Sequence, residues 1–286
     1  MKDFDNPGPI SGFRAYGPIV CLLFLFVPSW AHAAETFGAR YDKLMAKQEW
    51  KKAQSVLENW EKAAPEDPDL WAAQGDWWHQ DAHRQETDEL FYASSESAAT
   101  CVEKALEALP ERLDLWFALC ELDLDLNDLG AFYDNASSVA RRAGTARWTW
   151  KAGIPPPGKP EVLVADQAES WCWELYRDGT DGNFTVARRL AALTARLFPT
   201  HPGAERYLGR DSLDQGKWAE AKNHLLKSMS LDEDDSETLL DLGRAYWELE
   251  KDEAAKDCYR RVIALNNDPD AVARARKALE RAETEY

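Results

Sequence analysis

A 34-residue period runs through the second half of this chain and constrains its fold more than any single motif. Ala187, Ala221 and Ala255 keep that spacing, as do Leu197, Leu231 and Leu265, and Leu208-Gly209 recurs as Leu242-Gly243. Such a period means stacked copies of one supersecondary unit, because a unit this short cannot bury its apolar face without a neighbour. Each copy has an apolar helix pattern, a short turn and a second helix pattern. The turns are Asp181-Gly182-Asn183-Phe184, Gln215-Gly216-Lys217-Trp218 and Glu250-Lys251-Asp252. The predicted fold is all-α, a solenoid of helical hairpins.

The first half follows the same plan with one interruption. Pro65 to Pro110 and Trp71 to Trp116 both span 45 residues, so one unit carries about eleven residues beyond the period, placed near 79–96. Upstream, Phe37 to Pro65 forms a first unit with its turn at Gln48-Glu49-Trp50, and Ala53 stands where the later alanines stand. Downstream, Asp114 to Leu126 reads as a first helix whose partner lies near Phe132 to Arg142. About six units result, over 34–143 and 167–267, with a connector at 144–166 between them. In that connector Ile154-Pro155-Pro156-Pro157-Gly158-Lys159-Pro160 cannot be helical. Trp148 and Trp150 precede it, so the segment either straps itself across the solenoid by aromatic packing or hinges two halves. Residues 268–286 read as a capping helix whose Arg274, Arg276, Lys277 and Arg281 suit a solvated end.

Trp71, Gly75 and Trp78, or Leu242, Gly243 and Tyr246 followed by Ala255 and Tyr259, resemble the tetratricopeptide-repeat (TPR) family over most of 34–267. Cys120 stands for the expected Gly and Asn267 for the expected Pro. Small residues in the first helix let the second approach, so Ala53, Gly75, Ala187, Leu208, Gly209, Ala221, Leu242, Gly243, Ala255 and Tyr259 are the packing positions. The resemblance implies a superhelix that binds a protein or peptide partner on a concave surface lined by first-helix residues. It places Tyr176, Arg206, Arg210, Arg244, Trp247 and Glu248 there. Guanidinium groups bind carboxylates bidentately, so this groove would take an acidic segment or a chain terminus, although the usual Lys and Asn clamp pattern is absent. The other reading of the arginines is salt bridging to neighbouring acids.

Lys2 and Arg14 precede an apolar run from Ile19 to Val27, and Ala31-His32-Ala33 follows. This predicts a secretory signal over 1–33, cut between Ala33 and Ala34, with export to the periplasm of a Gram-negative cell or to the medium. The run is too short to span a bilayer, which needs roughly 20 apolar residues. Cys101, Cys120, Cys172 and Cys258 remain, too few and scattered for a disulfide framework. Cys101 and Cys120 either form one bridge or stay as small buried residues. With 51 acidic against 34 basic residues among 286, the charge of −17 disfavours nucleic acid and anionic membranes and favours basic partners.

His79 and His83 are four apart, a spacing that puts two imidazoles on one helix face, with Glu86 a turn further on. They sit in the polar insertion with no third His or Cys adjacent, so the stretch is read as solvated surface and no metal is assigned. Nucleophile elbow, Walker loop, dinucleotide fingerprint and HExxH are all missing, and neither cofactor nor catalytic residue is assigned. The predicted function is an exported scaffold or adaptor for a protein or peptide. A structural subunit of an envelope assembly, using outer faces, is the alternative, and a zinc-dependent enzyme or sensor at the histidine pair ranks last.

Overall fold

The computed structural model describes residues 36–284, in which thirteen α-helices follow one another without a strand. The expected export peptide and its cut at Ala33 and Ala34 lie outside these residues. The chain divides into two compact units between Glu58 and Asn59. In the first, α1 (Phe37–Met45) starts at Thr36, whose hydroxyl accepts from the Ala39 amide at 3.2 Å. The chain then turns through Gln48, at φ 56°, into α2 (Trp50–Ala63), and Tyr41, Ala53 and Val56 are buried.

The second unit stacks five hairpins and a cap. The hairpins are α3 (Pro68–Ala82) with α4 (Asp88–Ala108), α5 (Leu113–Asp125) with α6 (Leu129–Arg142), and α7 (Pro160–Asp178) with α8 (Asp181–Leu197). After them come α9 (Gly203–Asp214) with α10 (Trp218–Leu231), α11 (Ser236–Glu248) with α12 (Asp252–Leu265), and the closing α13 (Pro269–Thr284). Ala187, Ala221 and Ala255 are fully buried. Leu208 packs onto the core of α7 and α8, and Leu242 packs onto that of α9 and α10, so the two leucines hold equivalent places one hairpin apart. The glycines show why the first helix needs a small residue. A Cβ on Gly75 would stand 2.6 Å from Val102, on Gly209 2.6 Å from Leu225, and on Gly243 2.4 Å from the Tyr259 ring. The Tyr259 ring is buried and rigid, so Gly243→Ala is expected to destabilise the fold by about 1–3 kcal/mol, read from urea denaturation. A loss within the scatter of surface substitutions would refute the close-approach role.

The structure refines the expected layout at four places. The insertion near 79–96 lengthens the second hairpin, α4 having 21 residues where α10 and α12 have 14 each, and its polar stretch from His83 to Leu90 is mostly exposed, as expected. The buried Asp81 carboxylate organises that turn by accepting from Arg84, Gln85 and Ser94. The fourth unit begins at Pro160, not 167, because proline at the first helical position forfeits an amide that would be unpaired anyway. Cys101 and Cys120 take the second of their two open readings, free thiols: Cys120 is sealed in the core with Phe132 and Trp171, whereas Cys101 lies half-buried near Lys104 and Glu61. Burial pushes the thiols of Cys120, Cys172 and Cys258 up, the last to about 11. On the cap, Arg276, Lys277 and Arg281 are exposed, while Arg274 is partly exposed and pairs with Glu237 of α11. Ahead of α7 the chain runs beside the start of α5. The Thr149 amide donates to the Glu111 carbonyl at 2.8 Å, the Leu113 amide donates to the Thr149 carbonyl at 3.0 Å, and buried Trp148 joins the core with Val139 and Val164.

Candidate partner-binding surface

The first helices α7, α9 and α11 carry polar side chains at three- and four-residue intervals, which helical geometry gathers into one stripe per helix. On α7 these are Glu169, Trp173 and Tyr176; on α9, Arg206, Arg210 and Asp214; on α11, Asp241 and Arg244, with Asp235 capping its start. The stripes interlock. Arg206 donates to Glu169 and, at 3.1 Å, to Asp235, and its guanidinium lies 5.4 Å from the Trp173 ring centroid. Arg210 donates to Asp241 at 2.7 Å and lies 3.8 Å from Asp214, which in turn accepts from Tyr176 and, at 3.3 Å, from Arg244.

The structure thus brings Tyr176, Arg206, Arg210 and Arg244 together, and of the two readings of the arginines it shows salt bridging to neighbouring acids. Each is engaged by acids of neighbouring first helices, so an incoming carboxylate would have to displace one already in place. Burial works against the charges on Arg206 and Arg210, yet Glu169 and Asp235, and Asp241 foremost for Arg210, hold both guanidiniums more firmly protonated than usual. Burial, with Asp214 as acceptor, pushes the Tyr176 phenol up to about 12 against the pull of Arg210, so it remains a neutral donor. Trp247 packs on the C-terminal core with Val262 and Val272, while Glu248 stays half-buried at the end of α11.

The acid half of this ladder, Glu169, Asp214, Asp235 and Asp241, escaped the sequence reading. The period does contain the signal: residues near 34 apart in successive first helices face each other, and Tyr176 is 38 from Asp214, Arg210 31 from Asp241. Beside Tyr176 a shallow cleft of about 380 Å³ opens between α7, α8 and α9. Phe184 gives it an apolar wall, and Asp181, Asp211 and Asp214 face Arg188, which grips Asp211 through two bonds of 2.7 and 2.8 Å. With Asp211 held by Arg188 and Asp214 by Arg210 and Arg244, exposed Asp181 is the carboxylate that the cleft offers to a cationic side chain.

A second cluster joins His79, which is half-buried, and His83, which is exposed, to an acid from the next hairpin. Asp125, at the end of α5, lies 3.1 Å from His79 Nε2 and 3.4 Å from His83 Nε2, and the two nitrogens are 3.3 Å apart. Burial opposes the Asp125 charge, but the two imidazoles together hold its carboxyl below the usual range; its hydrogen bond raises His83 in return. Glu86 is not among them.

Residues 212–280 match the family model of the tetratricopeptide repeat. The fold is also that of the C-terminal part of a TPR repeat-containing protein from Cytophaga hutchinsonii, at 14% identity and a TM-score of 0.53, with 80% of this chain and 78% of that one covered. Residues 212–280 are thus tetratricopeptide repeats, and the chain has the all-helical TPR solenoid fold. A TPR protein from Thermus thermophilus is also similar, at 20% identity and a TM-score of 0.40, covering 70% of this chain and 98% of that one. No curated protein matches this TPR chain by sequence. The repeats of the family are protein-interaction scaffolds that bind proteins or peptides. Among the described residues no helix is long and apolar enough to cross a membrane.

Proposed function

We propose that this TPR protein is an exported, non-catalytic scaffold that holds a protein or peptide partner along α7, α9 and α11, docking the partner's basic side chains beside Tyr176. One observation carries the reading: the arginines of that face are neutralised from within, while the adjoining cleft sets exposed Asp181 beside Tyr176 and Phe184. The net charge of −17 adds long-range attraction for a basic partner. An acidic peptide would meet carboxylates first.

A photo-crosslinking side chain introduced at exposed Thr185, on the rim of the cleft, is compared with one at exposed Arg260 on the outer helix α12. The partner is expected to crosslink from 185 in the exported fraction, to a chain whose mass begins at Ala34. Crosslinks confined to 260 would instead support a subunit that binds through its outer face. A chain retaining residues 1–33 would remove the export half of the proposal and leave the groove standing.

A further inference from the structure

We infer that His79, His83 and Asp125 form a binding site for one divalent transition-metal ion of the zinc class, a role separate from partner binding. His79 lies in the last turn of α3 and His83 caps that helix one turn later, so both rings leave the same face. Asp125, the final residue of α5, arrives from the next hairpin. His79 Nε2, His83 Nε2 and Asp125 Oδ2 make a triangle with edges of 3.1, 3.3 and 3.4 Å. Ligands bound at about 2.0–2.1 Å in a tetrahedral zinc site stand about 3.3–3.4 Å from one another. An octahedral ion would draw adjacent ligands to about 3.0 Å, which suits only the shortest edge.

Hydrogen bonding alone cannot satisfy this triangle. If both Nε2 atoms carry protons, each donates to Asp125, but the two N–H groups then oppose each other across 3.3 Å. If one is bare, its lone pair faces a carboxylate oxygen. Every protonation of the neutral rings leaves one repulsive edge, whereas a cation at the centre takes a lone pair from all three atoms. The surroundings favour positive charge as well. Helices α3 and α5 both end here, presenting the negative ends of their dipoles. Glu121 and Glu174 both act electrostatically on His83. His79 and Asp125 are 19% and 21% exposed while His83 is 57% exposed, so a fourth ligand, water or a partner's side chain, has access from the His83 side. The ion would tie the ends of the first helices of consecutive hairpins, in the insertion where the repeat supplies no equivalent contact.

The full chain, made without a histidine tag and stripped of metal, is titrated with Co(II) and then Zn(II). One Co(II) per chain is expected, with the intense visible absorption of a tetrahedral ion, displaced by one Zn(II). His83→Ala alters an exposed residue outside the core and is expected to weaken zinc binding more than about 100-fold, beyond the loss typical of an outer-shell change. Its circular dichroism should be unchanged, and zinc should raise the melting temperature of the parent but not of this variant. Asp125→Asn should behave like His83→Ala. Absence of saturable uptake at one ion per chain, a weak octahedral spectrum, or parental affinity in His83→Ala would each overturn the site.

Discussion

Arg210→Ala is expected to destabilise the protein by about 3–5 kcal/mol, because it strands a buried carboxylate. The Arg210 side chain is 13% exposed and that of Asp241 7%, and their bond of 2.7 Å joins α9 to α11. Taking both charges out of water is costly, and their attraction offsets that cost only while both are present. Alanine leaves Asp241 facing low-dielectric surroundings without its cation, and Tyr176 and Asp214 lose the same neighbour. The companion variant Arg210→Met with Asp241→Leu removes both charges at similar volume and should recover most of the loss. Urea denaturation followed by tryptophan fluorescence gives both numbers. A single-variant loss below about 1 kcal/mol would mean that the pair behaves like a surface salt bridge, and the interlocked ladder would lose its structural role.

Trp171→Ala should cost a similar 3–5 kcal/mol for a different reason, a cavity. The Trp171 ring is fully buried on α7 and stands edge-on to Phe117 of α5 at 5.8 Å and to Phe132 of α6 at 5.5 Å. It therefore fills the junction across which the 34-residue register is interrupted, where no repeat-encoded contact is available. Among the described residues its buried Nε1 has no hydrogen-bond partner, so Trp171→Phe gives up volume but no hydrogen bond and should cost clearly less than alanine. Should alanine fall within about 0.5 kcal/mol of the parent, as neutral surface changes do, the aromatic junction would not be holding the two runs of repeats together.

The insertion limited what periodic reasoning found. His79 and His83 were visible as a helical pair, and Asp125, 46 residues from His79, lies within one residue of the 45-residue spacing that relates Pro65 to Pro110 and Trp71 to Trp116. That spacing located the insertion but was not carried over to a partner for the pair, so the third member was missed. The arginine ladder failed differently. Its acids sit within a few residues of the period from Tyr176, Arg206 and Arg210, but the chain carries 51 acidic residues, and composition alone makes any one pairing unremarkable.

Sequence alone determined the repeating hairpin, the close approach at Gly75, Gly209 and Gly243, and the tetratricopeptide repeats of 212–280, because every copy of a stacked unit meets the same neighbours and must keep the same residues in the same register. Tertiary structure decided how the charges of the first helices are spent, how the chain before Pro160 lies against α5, and that the histidine pair meets an aspartate. Those outcomes depend on contacts between units that are not copies of one another, whose geometry follows from an insertion and a connector that no period describes.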